Sequence, residues 1–144
     1  FEKKEENQTS VSVPVKKELK IISVNDKDVY DDAHIKGDIN ITYDKLYDLD
    51  HITKNWDKNM SIVLYCTDYN CTASKTFAKE FIKLGFTDVS VYSGGIADWY
   101  QHSLKDKSFL TEGPASNKEI LESNAKPDTQ QTDIKVVTAS ELHD

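Results

Sequence analysis

Between residues 19 and 102, short apolar runs of strand length alternate with stretches whose apolar residues recur every third or fourth position. Leu19-Lys20-Ile21-Ile22-Ser23-Val24 reads as a strand. Asn25-Asp26 follows as a turn or helix cap, and Val29 and Tyr30 belong to a brief helix. His34-Ile35-Lys36-Gly37 ends that helix, and Ile39-Asn40-Ile41 is a second extended piece. Asp44 caps a predicted helix whose apolar face is Leu46, Leu49, Ile52 and Trp56. Ser61-Ile62-Val63-Leu64-Tyr65 shows no polar alternation, the pattern of a parallel strand buried on both faces. The next helix carries Ala73, Phe77, Ala78, Phe81 and Leu84, with Gly85 where a cap glycine belongs. Val89, Val91 and Tyr92 make another strand, ending at Ser93-Gly94-Gly95, and Ile96 and Trp99 open a further helix. This alternation predicts an α/β fold with a mostly parallel sheet. In such folds ligands gather beyond the carboxyl ends of the strands.

Cys66 stands at that place, between the buried strand and a helix N-terminus. The positive end of a helix dipole stabilises a thiolate, the reactive form of cysteine. The loop Cys66-Thr67-Asp68-Tyr69-Asn70-Cys71 is short enough for its amides to turn inward as a nest for an anion. Cys66 is thus either a nucleophile or a small buried packing residue. Cys71 likewise reads as a resolving thiol, as a packing residue in the first turn of the helix, or as a disulfide partner of Cys66. Two cysteines are too few for a disulfide framework and badly spaced for zinc. His51, His102 and His143 are scattered, so no metal or other cofactor is expected, and His34 is assigned a loop-holding hydrogen bond.

Four separated segments, in order, resemble the rhodanese-like (sulfurtransferase) domain family. Ile21-Ile22-Ser23-Val24-Asn25 stands where that family has a strand ending in Asp-x-Arg. His34-Ile35-Lys36-Gly37-Asp38-Ile39-Asn40-Ile41 is similar to its HIPGAIN signature. Leu64-Tyr65-Cys66 resembles the strand that carries the catalytic cysteine, and Gly85-Phe86 with Val89, Val91, Gly94-Gly95-Ile96 and Trp99 resembles its closing pattern. The resemblance implies a three-layer α/β/α domain with a five-stranded, mostly parallel sheet. It also implies that Cys66 carries sulfane sulfur as a persulfide, with Thr67, Asp68, Tyr69, Asn70, Cys71 and Thr72 forming the substrate-binding loop. The implied partners are a small sulfur donor and a thiol acceptor. An idle domain that binds a protein partner, or a thiol–disulfide protein using Cys66 and Cys71, are the competing readings.

Ser23 and Asn25 replace the Asp-x-Arg pair, so its buried ion pair is absent. Asp68 puts a negative charge in a loop that should favour an anion, which predicts weak activity toward dianionic thiosulfate. All 18 basic residues are lysine. Without arginine the loop lacks the fork that phosphatase or arsenate reductase chemistry on this fold would use. A net charge of −7 excludes a basic nucleic-acid footprint, and no apolar run is long enough to span a membrane.

The domain organisation expected is a flexible arm over 1–14, a rhodanese-like domain over 15–104, and a polar extension over 105–144 that is partly disordered or docked on the sheet edge. In that extension Lys118 to Ser123 reads as a helical turn or two, and Ile134-Lys135-Val136-Val137 as a strand. Val136-Val137-Thr138-Ala139-Ser140-Glu141-Leu142 is similar to the strand and helix with which rhodanese-like domains open. A start at Phe1 fits an exported, periplasmic protein whose signal has been removed, and fits a trimmed cytoplasmic chain equally well.

Overall fold

The computed structural model describes residues 17–127 and 134–143. The arm expected over 1–14 lies outside them. Five parallel strands form the central sheet: Leu19–Ser23 (β1), Ile39–Asn40 (β3), Ser61–Tyr65 (β4), Asp88–Tyr92 (β5) and Lys135–Val136 (β7). Their order is β3-β1-β4-β5-β7, which puts β4 at the centre. The register sets Ser23 beside Tyr65 and Tyr65 beside Tyr92, so three carboxyl ends meet at one level.

Side chains of β4 alternate between two cores. Ile62 and Leu64 point into a layer with Phe77, Phe81 and Phe86, against the helices Leu49–Ile52 (α2) and Ala73–Lys83 (α3). Val63 and Tyr65 point into the opposite layer with Ile96, Trp99 and Leu121, against Gly95–Ser103 (α4) and Lys118–Leu121 (α5). A strand covered on both faces has no solvent side, which is why its sequence lacks polar alternation. The result is the α/β/α sandwich of the expected class.

The helix expected from Asp44 through Trp56 is broken. Residues Tyr43–Asp48 form a 3-10 helix and only Leu49–Ile52 is α-helical. Leu46, Leu49 and Ile52 are spaced by three, and residues three apart eclipse in a 3-10 helix, so that spacing suits the tighter coil. Buried Thr53 then donates its hydroxyl to the Leu49 carbonyl at 2.9 Å, and the helix stops.

Residues beyond α4 return along the second layer. Thr111–Glu112 (β6) pairs antiparallel with His34–Ile35 (β2). The Asp32 carboxylate, at the end of Lys27–Asp32 (α1), accepts the amides of Ser116 and Asn117 and the Ser116 hydroxyl, which together hold it below the usual carboxylate range. Gly113 has φ +107° and lies so close that a Cβ would come 2.4 Å from the Asp32 carbonyl oxygen. The Gln101 amide then donates to the Leu121 and Ser123 carbonyls, both at 3.0 Å, and carries the chain toward the carboxyl ends of the strands.

The last described segment adds the fifth strand. β7 runs beside β5, the Val137 amide donates to the Val91 carbonyl at 2.9 Å, and Ala139–His143 (α6) closes the layer. Ile134, Ala139 and Leu142 are buried there. Burying an Ile or Leu side chain is worth about 1.5–3 kcal/mol, and a domain of this size shifts by about 2–4 °C per kcal/mol. Deleting residues 128–144 is therefore expected to lower the Tm by about 5 °C or more in a thermal melt. An unchanged Tm would show that β7 and α6 contribute nothing to the sheet.

Candidate active site

The end of β4 is held from below. Tyr65, fully buried, donates its hydroxyl to Asp38 and accepts the Ile35 amide at 3.0 Å. The other Asp38 oxygen lies 2.7 Å from His34 Nδ1, and the Asp38 side chain has no exposed surface. The signature segment thus clamps the residue that precedes Cys66. Burial raises the Asp38 carboxyl above its ordinary value, against the hydrogen bonds from Tyr65 and His34 that oppose the shift. Burial and the Asp38 charge also push the Tyr65 phenol well up, so it stays a proton donor.

Ser23 and Asn25 stand beside this clamp, both buried. The Asn40 side chain donates to the Ser23 and Asn25 carbonyls at 3.0 and 2.9 Å, and Asn25 Nδ2 has no hydrogen-bond partner among the described residues. Neutral groups therefore occupy the place where the resembling family has an ion pair.

Beyond β4 the loop is fixed from the α4 side. The Cys66 and Thr67 carbonyls accept the amides of Ile96 and Ala97 at 3.0 and 2.9 Å. Gly95 makes this approach with φ +67°, and a Cβ there would lie 2.6 Å from the Cys66 carbonyl oxygen. Asp68 shapes the remainder. One of its carboxylate oxygens accepts the Asn70 amide at 3.0 Å, its carbonyl accepts the Cys71 amide at 3.1 Å, and the other carboxylate oxygen accepts the Ser123 hydroxyl at 2.6 Å. Among the described residues, the amides of Thr67, Asp68, Tyr69 and Thr72 make no hydrogen bond.

Cys66 and Cys71 are joined in a disulfide with their Cα atoms 6.3 Å apart. Cys71 is therefore bonded to Cys66 rather than serving only as packing in the first turn of α3. Cys66 is 3 % exposed and Cys71 is partly buried. Ser74, buried in that first turn, has its hydroxyl 3.6 Å from Cys66 Sγ. No acidic residue occupies the first turn of α3, so no carboxylate there offsets the positive end of its dipole.

On the α4 side of the loop lies a cavity of about 210 Å³, lined among others by Asp68, Tyr69, Asp98, Gln101, Ser123 and Lys126. Burial, and then the Asp98 charge, hold the Tyr69 phenol above its ordinary value. Tyr92 donates its hydroxyl to the same Asp98. Among the described residues, no group of three or more His, Cys, Asp or Glu is placed to hold a metal ion, and no helix is long and apolar enough to cross a membrane.

The structure thus puts Cys66 through Thr72 in one loop. It adds Ser74, Gly95, Asp98 and Ser123, which sequence reasoning did not select. Gly95 carried a signal, its glycine doublet. Ser123 carried none, because it reaches Asp68 from 55 positions away.

Comparison with known proteins agrees with the fold. Residues 8–102 match a family model described as "Rhodanese-like domain". Four curated "Thiosulfate sulfurtransferase GlpE" proteins from strains of Coxiella burnetii are each 28 % identical over 87 residues, 60 % of this chain and 77 % of theirs. A Bacillus halodurans protein of known structure is 28 % identical with a TM-score of 0.58, covering 74 % of this chain and 72 % of that one. The rhodanese-like domain of an Anabaena protein is 26 % identical with a TM-score of 0.52, covering 65 % of this chain and 98 % of its own.

The clamp yields a pH signature. A carboxyl whose folded pKa is raised contributes stability that is fully present below its unfolded value, about 3.9, and is lost as the pH climbs through the folded value. Asp38→Asn keeps an acceptor for Tyr65 and carries no charge. In urea unfolding, the variant is expected to gain stability relative to the wild type as the pH rises from below about 3.9. A difference that stays constant over that range would contradict a raised Asp38.

Proposed function

The chain belongs to the rhodanese-like domain family, and we propose that within it the chain is a sulfurtransferase that carries sulfane sulfur as a persulfide on Cys66. One observation supports this above the others: Cys66 directly follows the central strand, in the loop before α3, and the amides of Thr67, Asp68, Tyr69 and Thr72 make no hydrogen bond among the described residues. A terminal persulfide sulfur is anionic, and unpaired amides beside a helix N-terminus can stabilise an anion without any charged side chain. Ser74 adds a hydroxyl on the sulfur side. The Coxiella relatives named as thiosulfate sulfurtransferases support the same reaction class.

In this reading the Cys66 thiolate attacks the sulfane sulfur of a donor and the remainder of the donor leaves with the electron pair. A thiol acceptor then attacks the outer sulfur and restores the Cys66 thiolate. Asp68 selects among donors. Its carboxylate occupies the Asn70 amide, which an anion would otherwise use, and repels a second negative charge. Persulfides and polysulfides of small thiols therefore suit the loop better than dianionic thiosulfate.

Incubation of the reduced protein with a polysulfide donor, followed by intact mass measurement, tests the assignment. Cys71→Ser is expected to gain the mass of one sulfur, which cyanide or a thiol then removes, and Cys66→Ser to gain none. Sulfur added to Cys66→Ser, or none added to Cys71→Ser, would contradict it.

A further inference from the structure

Direct bonding of Cys71 to the cysteine assigned to carry sulfur has a chemical consequence. The bond does not depend on a chance approach of two mobile side chains. The Cys66 backbone is fixed by Ile96, Ala97 and the close approach of Gly95. The Asp68 side chain and carbonyl fold the loop back through Asn70 and Cys71, and Ser123 holds that carboxylate from outside the loop. The turn therefore brings Cys71 to its 6.3 Å Cα separation from Cys66.

We propose that Cys71 is a resolving thiol that makes the chain a reductase of sulfane sulfur, releasing sulfide rather than only passing sulfur on. The proposal rests on persulfide formation at Cys66. In the first step the Cys66 thiolate takes the outer sulfur of a persulfide or polysulfide, and the donor leaves as a thiolate or a shorter polysulfide. In the second, the Cys71 sulfur attacks the inner sulfur, Cys66 Sγ. The Cys66–Cys71 bond forms, the bond from Cys66 Sγ to the terminal sulfur breaks, and that sulfur leaves with the electron pair as hydrosulfide, taking the Cys71 proton. Two thiols lose two electrons and the sulfane sulfur gains them, so no other oxidant is needed.

A dithiol reductant restores the protein. Of the two sulfurs, Cys71 belongs to the less buried residue, so the incoming thiolate attacks there and Cys66 leaves. Its leaving thiolate lies at the start of α3, with the Ser74 hydroxyl 3.6 Å away. A lower-pKa thiol leaves faster, so the same groups that suit Cys66 to sulfur uptake suit it to this exchange. The net reaction takes one sulfane sulfur and one dithiol to sulfide and a disulfide.

The test is a single turnover. Wild type and Cys71→Ser are reduced, freed of reductant without exposure to air, and mixed with a limiting polysulfide in the absence of any other thiol. The expected wild-type result is one sulfide released and two protein thiols lost for each sulfane sulfur taken up, with no retained sulfur. The expected Cys71→Ser result is retained sulfur on Cys66 and loss of the sulfide burst. Wild type that keeps the persulfide and releases no sulfide would overturn the resolving role while leaving persulfide formation intact. Equal sulfide from both proteins would overturn it as well. Absence of sulfur uptake by Cys71→Ser would instead remove the persulfide reading, and the resolving role with it. Should Cys71→Ser fold poorly, Cys71→Ala provides the same comparison, and the wild-type sulfide and thiol counts stand alone.

Discussion

Two hydrogen bonds, from the Ile96 and Ala97 amides to the Cys66 and Thr67 carbonyls, join the loop after β4 to the start of α4. They make two consecutive strand ends into one rigid surface. The join requires Gly95, because any side chain would strike the Cys66 carbonyl. On the other side the Tyr65 hydroxyl ties the strand end to the signature segment through Asp38 and Ile35. Cys66 is thus held by its own carbonyl and by the residue before it, and its sulfur faces the α3 side, where it joins Phe77 and Phe81 in one core. A side chain held so firmly would lose little entropy on reaction, which is what a rigid scaffold contributes to a site.

Much of this was legible in the chain. The uninterrupted run Ile62–Tyr65 announced a strand covered on both faces, and Gly85 ended α3 where expected, at φ +99°. The signature His34 to Ile41 marked a segment close to the site, though not that Asp38 would be its centre. The part hidden from sequence is long-range. Asp32 with Ser116, Gln101 with Leu121, and Asp68 with Ser123 pair residues too distant for any local period to reveal. The broken helix over Tyr43–Ile52 failed for a different reason. Spacing by three fits both helical coils within the tolerance of a short pattern, and Thr53 decided the outcome through a backbone bond that propensity does not carry.

The site also shows how this chain manages without arginine. Where an ion pair would fill the space beneath the loop, buried Ser23 and Asn25 leave it neutral, and the Asp38 carboxyl is satisfied by a tyrosine and a histidine. The carboxylates near the loop are at its rim instead, where Asp68 and Asp98 line the cavity. Positive potential at the loop comes from its backbone and the N-terminus of α3, beside Lys126 in the cavity lining. Amide nests and helix dipoles act over short range and bind one small anion better than a large, doubly charged one.

That dependence on backbone potential gives the most direct test of the account. The rate at which the reduced protein reacts with iodoacetamide, followed against pH in the Cys71→Ser variant, reports the Cys66 thiolate alone. The account predicts a titration midpoint below the ordinary thiol value of about 8.5, because α3 and the loop amides favour the anion. A midpoint at or above that value would mean that burial outweighs the amides, and that Cys66 is a packing residue rather than a carrier of sulfur.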